Sequence, residues 1–463
     1  MAETILLPGE KPVPAASSAE VAEPAGQWSL GRRIAFRLCF CYLLPFGATG
    51  LFIYAFFMDF FLPLPIWKDM QRFEPWTNAM PWICAHIFRV QRKLAIFPDS
   101  DFLSGYLQHL IELMLALIAT VVWSILDRKR TNYRRLYAWF ALVLRFSLAI
   151  VLFSYGFDKI FPLQFRPVTP GRLSQQVGDL DMFNMLWIFM ASSKPYTIFS
   201  GAMEVLAGLL LLTPRLETAG ALLAVPVLTN VFLLNMDYGV PVKMISSHLL
   251  LVAVFLAAPA LPGMVQLLVL RQPVTPVVPE PLSSRRSVDW AARICVGALG
   301  VFMAIIACIG ADRRYDEGRA AAAAAQRTPF FGLWLADAFT VPSAGPQSLF
   351  TDKLQQEYGV GPGTDHWLAL AIEEPKRMTI DLGGGVQDGV DLALDPSTGI
   401  AQVSDSDDPA WKARLTFQTP GNGRLTIEGT VNGVPISSSW HRKELSDFRL
   451  VKDKFQWIQP DPE

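Results

Sequence analysis

The chain has 463 residues, 52% of them hydrophobic and only 17% charged, where soluble domains carry nearer a quarter of charged residues. Its 40 basic and 41 acidic residues leave a net charge of -1, and no basic stripe interleaves with aromatics, so nothing argues for a nucleic-acid partner. The length admits two or three domains, and hydropathy divides them: 136–270 is nearly all apolar, whereas 340–463 reads like a water-soluble protein.

Residues 1–32 are rich in Ala, Glu and Pro and lack the apolar core of a cleavable signal, so they are expected to be a disordered cytoplasmic tail. A hydrocarbon core of ~30 Å requires ~20 mostly apolar residues in a helix. Seven stretches qualify: 34–62, 103–126, 136–160, 196–213, 218–236, 243–261 and 291–311. The short turn from Thr213 to Glu217 makes the fourth and fifth a tight hairpin, and Pro45 and Pro226 lie inside spans, where they kink helices. These spans define a helical membrane domain over 33–270, a cytoplasmic linker over 271–289, a last transmembrane helix over 290–312, a spacer over 313–329 and a β-rich domain over 330–463.

Orientation follows from Lys and Arg in the loops. The loop 127–135 carries five basic residues in nine and is expected on the cytoplasmic side. That choice puts Arg32, Arg33, Arg215, Arg271, Arg285 and Arg286 inside as well, although the longer loop 65–102 also carries five basic residues, offset by acidic ones. The expected protein is therefore a multi-pass inner (plasma) membrane protein with a cytoplasmic N-terminus and an extracytoplasmic C-terminal domain. Within the outer loops, Ile83–Phe97 alternates apolar and basic residues like a helix lying on the membrane surface, and Met182–Ala191 is an apolar helix too short to span.

From Phe330 the apolar period changes to two. Pro420-Gly-Asn-Gly between 414–418 and 424–429, and Asn432-Gly433 before 435–440, are strong hairpin signals. Further strands are expected at 367–372, 377–382, 388–394, 399–404, 446–452 and 455–458. About eight short strands with tight turns describe an antiparallel meander closing into a small all-β barrel or sandwich. Such a barrel either holds a ligand or, more commonly, fills its interior with side chains. The run Asp405–Asp408 lacks the spaced ligands of an EF-hand and reads as a solvated turn.

The cysteines Cys39, Cys41, Cys84, Cys295 and Cys308 fall mostly in expected membrane helices, which argues against a disulfide framework. No phosphate-cradling glycine loop, nucleophile elbow or HExxH occurs. The chemistry must therefore be sought among ionisable groups inside the spans, which are costly and mark function by default. His109 and Glu112 lie on the second span, Tyr155, Asp158 and Lys159 at the end of the third, Glu204 on the fourth, Asn230 and Asn235 on the fifth, and Lys243 and His248 on the sixth. At 1.5 Å per residue most fall within the outer ~5–15 Å of the bilayer, so a polar cavity open to the outer leaflet is expected. Arg145 is deeper and needs a carboxylate or carbonyl partner, with Glu112 or Glu204 the candidates. The structural alternatives stand beside this: snorkelling explains Asp158, Lys159 and Lys243, and a Glu204–Arg145 pair locks the bundle without further function. His109 and His248 at matching depth are thin support for a haem, or with Glu112 and Glu204 for a metal. His366 and His441 read as surface residues.

Four stretches resemble DoxX-like membrane proteins: Trp123-Ser-Ile-Leu-Asp-Arg-Lys-Arg, Ser154-Tyr-Gly-Phe-Asp-Lys-Ile-Phe-Pro-Leu-Gln-Phe, Gly201-Ala-Met-Glu-Val-Leu-Ala-Gly-Leu-Leu-Leu-Leu and Asn235-Met-Asp-Tyr-Gly-Val-Pro-Val-Lys-Met-Ile-Ser-Ser-His-Leu. Phe331-Gly-Leu-Trp, Asp408-Pro-Ala-Trp-Lys and Phe455-Gln-Trp-Ile resemble the β-rich tail of a subgroup that also carries an N-terminal helical extension. The resemblance implies a membrane component linked to quinone-dependent or oxidative-stress chemistry, with Glu204, Lys159, Lys243 and His248 as carried-over site positions. The residues admit a redox reading: a quinone-like carrier enters the cavity, Glu204 or His109 takes protons, Lys159 or Lys243 holds a ring oxygen, and a partner redox subunit completes the reaction. Glu112, Arg145, Tyr155, Asp158, Asn230 and His248 would line its binding site. The alternative is a non-enzymatic module that binds a lipid or protein partner and displays the β-domain. A transporter is disfavoured by the odd helix count and the lack of an inverted repeat.

Overall fold

The computed structural model describes residues 27–61, 75–90, 101–274, 281–341, 349, 366–374, 376–383, 386–406 and 408–452, with the side chains of 47–61 and 75–78 excluded. The helices are α1 (Leu30–Phe61), α2 (Pro75–His86), α3 (Leu103–Leu126), α4 (Arg134–Ile160), α5 (Pro170–Ser174), α6 (Met182–Ser192), α7 (Lys194–Leu212), α8 (Glu217–Asp237), α9 (Lys243–Ala257), α10 (Leu261–Leu268) and α11 (Arg286–Gln326). Six segments among the described residues are long and apolar enough to cross a membrane: α3, α4, α7, α8, α9 running on into α10, and α11. The remaining expected span, 34–62, falls on α1.

The apolar pattern decides which helix is central. In α4 the most apolar window is 67% buried, against 17% in α3, so α4 is the hub and α3 turns most of its surface outward. Leu144, Leu148, Ala149, Leu152 and Phe153 of α4 form the core with Ala207 and Leu211 of α7, Ala224 of α8 and Val252 and Ala253 of α9. Where α4 meets α7, both helices carry glycine. A Cβ on Gly156 would lie 2.8 Å from the Gly201 carbonyl oxygen, and one on Gly201 would lie 2.8 Å from Lys159 Cβ. Small residues let helix backbones approach in a bilayer, where no hydrophobic drive brings them together.

The α7–α8 hairpin closes as expected. Leu216 N–H donates to the Thr213 carbonyl, and Arg215 adopts a positive φ of 75°. Two expectations need correction. The surface helix placed at 83–97 starts earlier, at Pro75, and ends at His86, after which Arg89 takes a φ of 52° that a helix does not allow. Residues 91–97 lie outside the described set. The last span continues into the spacer as the single 41-residue helix α11, about 60 Å long at 1.5 Å per residue and twice the hydrocarbon thickness. Its Arg314 donates to Asp158 at 2.5 Å and so ties it to the end of α4.

After α11 come β1 (Gly332–Thr340), β2 (Ala369–Glu374), β3 (Arg377–Gly383), β4 (Val386–Leu394), β5 (Ile400–Ser404), β6 (Lys412–Gly421), β7 (Arg424–Val431) and β8 (Val434–Lys443). Each pairs antiparallel with the next, and β8 pairs back to β1, so the meander closes into a barrel rather than a sandwich. Asn422-Gly423 and Asn432-Gly433 take positive φ at both positions, as tight hairpin turns of this type demand. The interior is filled by Trp334, Trp367, Trp411, Trp440, Met378, Leu415 and Phe417. Indole N–H groups find acceptors inside it: Trp334 donates to the Phe330 carbonyl at 2.8 Å and Trp440 to Ser438 Oγ at 2.9 Å.

Strand β1 was not among the expected strands, and the strand expected at 446–452 is instead a single 3-10 turn, Leu445–Asp447, and the short helix Arg449–Lys452. A closed barrel has no free edge for a ninth strand, so Leu445 and Phe448 cover Leu333, Ala369 and Ala371 on the outside of β1 and β2. The strand expected at 455–458 lies outside the described residues. Asp405, read as solvated, is buried at 6% exposure.

The barrel is seated on the helical domain by α5. Gly171 N–H donates to Glu373 Oε1 at 2.6 Å, and Gln387 Nε2 donates to the Gly171 carbonyl at 3.1 Å and to Asp381 Oδ2 at 3.0 Å.

Replacing Gly201 by Ala should force α4 and α7 apart and lower stability by roughly 1–3 kcal/mol. Gly318→Ala, with nothing within 4 Å of the added methyl on α11, should be neutral or stabilising by up to about 1 kcal/mol. Thermal unfolding midpoints in mild detergent compare the two.

Candidate functional site

Helix α4 ends in Tyr155 and Lys159, which are four residues apart and therefore share a face. Across the glycine contact, Glu204 of α7 lies level with Lys159. Lys159 Nζ donates to both Glu204 oxygens at 2.9 Å, with side-chain exposures of 7% and 2%. The Tyr155 ring centroid is 5.6 Å from the ammonium, placing a π face beside the charge. A charge taken out of water is tolerated only with such a partner in good geometry. Lys159 therefore does not snorkel: it turns inward.

The pair opens on a cavity of about 60 Å³, enough for several waters, since one needs ~10–15 Å³. Asn235 of α8, Ser246 of α9 and Gln164 add polar groups, and Val151, Leu152, Leu228, Val231 and Ile245 supply an apolar wall. Gln164 Oε1 is buried and has no hydrogen-bond partner among the described residues. The chain folds back after α4 because Leu163 and Gln164 N–H both donate to the Asp158 carbonyl at 3.0 Å, which brings Gln164 over the cavity. Neither Gln164 nor Ser246 was a sequence candidate. Gln164 lies outside every apolar stretch, so no span pattern could point to it.

The expected single cavity is in fact two polar groups separated by α9. Ser246 and Leu249 face the Lys159–Glu204 cavity, while His248 faces the other way. His248 Nδ1–H donates to the Met244 carbonyl at 2.8 Å, and its Nε2 lies 2.8 Å from the Tyr42 hydroxyl oxygen. His109 stacks on His248 with centroids 4.3 Å apart and planes 24° apart, and its Nδ1 lies 2.8 Å from Glu112 Oε2. Rings stacked this closely leave no space for a haem iron between their nitrogens, and Glu204 belongs to the other group. The shared haem or His/Glu metal site considered from the sequence does not form. Among the described residues no group of three or more His, Cys, Asp or Glu could hold a metal ion.

The other candidates have local partners. Lys243 Nζ lies 3.1 Å from Asp101 Oδ2, and Asp158 pairs with Arg314 on α11. Adjacent residues on a helix cannot share a partner, and Asp158 and Lys159 accordingly take different ones. Asn230 is exposed on the bundle surface and lines neither group. Arg145 does not reach Glu112 or Glu204. It pairs with Glu217 at the start of α8, toward the end of the bundle that carries the basic loop, and Arg293 of α11 lies 3.7 Å from the same carboxylate. His441 is exposed and bonds Asp337 at 2.7 Å, and His366 is exposed.

Lys159→Met should cost about 3–5 kcal/mol, because it leaves Glu204 buried without its counter-charge. Glu204→Gln added to Lys159→Met should recover most of that loss. Unfolding midpoints of the single and double variants measure the coupling; equal midpoints would remove the pair as a buried charge unit.

No family model matches the chain, and no solved structure matches it. The uncharacterized protein YwoB of Bacillus subtilis (strain 168) is 34% identical over 112 residues, which make up 24% of this chain and 71% of YwoB. YwoB's name carries no activity, and the match leaves three quarters of this chain outside it. Through that shared segment the chain belongs to the same family as YwoB.

Proposed function

We propose that this membrane protein is a redox component acting on a quinol-like, lipid-soluble carrier at the Lys159–Glu204 cavity. The observation that carries this reading is a buried amine–carboxylate pair opening on a cavity that is otherwise mostly apolar and holds one unsatisfied carbonyl oxygen, on Gln164. The resemblance to DoxX-like proteins supports the same class of chemistry. In this reading the carrier presents a ring hydroxyl to the cavity, whose 60 Å³ takes the polar edge of a ring rather than the whole molecule. Lys159 shifts its hydrogen bonds from Glu204 to the ring oxygen, and Glu204 accepts the proton of that hydroxyl. The proton of the second hydroxyl passes to water at the cavity mouth, and the two electrons pass to a partner redox subunit, which is reduced as the quinol becomes the quinone. Gln164 Oε1 accepts from the second O–H when the edge is seated. The cavity lies in the outer leaflet, with the N-terminus cytoplasmic and the barrel on the extracytoplasmic side of a bacterial inner membrane.

One observation favours a second, non-enzymatic reading. Glu204 already has both oxygens on Lys159, as in a clasp, and α5 grips the barrel through Glu373 and Gln387. The helical domain would then bind a lipid or protein partner and display the barrel.

Protein purified in mild detergent separates the two by its absorption spectrum and by mass spectrometry of the small molecules extracted from it. The redox reading expects a bound quinone in the unaltered protein and at least about tenfold less, some 1.4 kcal/mol of binding, in the Lys159→Met/Glu204→Gln variant. Bulk phospholipid alone, unchanged in that variant, would leave the display module as the function.

A further inference from the structure

A second cavity lies at the opposite end of the bundle from the Lys159–Glu204 pair. It encloses about 730 Å³ between α1, α4, the start of α8 and the α9–α10 junction, within the 300–1,000 Å³ of small-molecule sites. Three arginines line it, Arg32 of α1 and Arg134 and Arg145 of α4, against one carboxylate, Glu217. Glu217 is already engaged by Arg145 and approached by Arg293. Arg134 also opens α4, whose N-terminal amides favour an anion. The Arg32 guanidinium lies over the Trp28 ring at 4.5 Å, and Trp28 packs edge-on to Tyr137 at 6.5 Å, which holds the charge at the cavity wall. The rest of the lining is apolar, including Phe36, Phe255 and Leu256.

A cationic rim over an apolar chamber at one end of a membrane bundle matches one ligand chemistry: a phosphate-type anion carried on an acyl chain. We propose that this cavity is a binding site for an anionic phospholipid, with its headgroup on Arg32 and Arg134 and its chain in the apolar chamber. The site shares no residue with the proposed redox cavity and stands independently of it. A free phosphate would satisfy the arginines and leave the apolar part unused. The sequence 1–26, with Glu3, Glu10, Glu20 and Glu23 against Lys11 alone, is the competing anionic occupant.

Native mass spectrometry of the full chain in detergent, with added phosphatidylglycerol or phosphatidylcholine, tests the proposal. The expected result is retention of phosphatidylglycerol over phosphatidylcholine, weakened at least about tenfold in Arg32→Gln/Arg134→Gln, given ~1 kcal/mol per basic side chain at a lipid headgroup. Arg166→Gln/Lys194→Gln, which removes two exposed charges elsewhere, should retain the lipid as the unaltered protein does. Equal binding of the two lipids, or equal loss in both double variants, would overturn the site. Displacement of the lipid by millimolar inorganic phosphate would make free phosphate the ligand, and binding seen only after deletion of 1–26 would make that segment the occupant; either result overturns the lipid assignment.

Discussion

A hydrocarbon core offers no water to hydrogen-bond a stranded charge, and this constraint organises the whole helical domain. Each ionisable side chain discussed above that lies inside the bundle has a partner on another helix or one turn away: Lys159 with Glu204, Arg145 and Arg293 with Glu217, Asp158 with Arg314, and His109 with Glu112. Three of these contacts join α4 to a different helix, and a fourth, Arg293 with Glu217, shares a carboxylate with one of them. The most buried helix thus also carries the charges that orient its neighbours, and packing and electrostatics specify the same arrangement. The Gly156–Gly201 approach is what allows it, since a wider α4–α7 spacing would pull Lys159 from Glu204.

That constraint also shapes function. A pair held in low dielectric responds strongly to anything that donates or accepts a hydrogen bond beside it, and the cavity at Lys159–Glu204 is the place where such a group has access. The same pair in water would contribute little and discriminate nothing. The two polar groups on either side of α9 are chemically distinct: one is an ion pair with free space, the other a stack of imidazoles closed by Tyr42 and Glu112. A cavity borders the first.

Much of the architecture was legible in the sequence because its signals are long. Stretches of about twenty apolar residues and period-two strands broken by Asn-Gly turns survive any tertiary context, so the spans and the antiparallel barrel were visible. Partner choice was not. Arg145 was expected to reach a carboxylate or a carbonyl, and it donates to the Ala141 carbonyl. Its carboxylate, however, is Glu217 rather than Glu112 or Glu204, because span depth says nothing about which helix lies opposite and Glu217 reads as a loop residue. Asn230 and Asn235 are five apart on one helix and point in different directions, which only the packing of α8 resolves. Gln164, Ser246 and Tyr42 carry no signature of their own; they acquire meaning from a chain reversal after α4 and from the rotation of α9 and α1.

The continuous helix α11 has a mechanical consequence. Arg293, near its first turns, engages the Glu217 carboxylate at the arginine-lined end of the bundle, and Arg314, some twenty residues later, grips Asp158 beside the Lys159–Glu204 cavity. An uninterrupted helix is stiff along its axis, so it acts as a push-rod joining the two ends, with the barrel mounted on its far tip. The two anchors are about 30 Å apart along the axis at 1.5 Å per residue, so any axial displacement of α11 would have to be accommodated at both ends together.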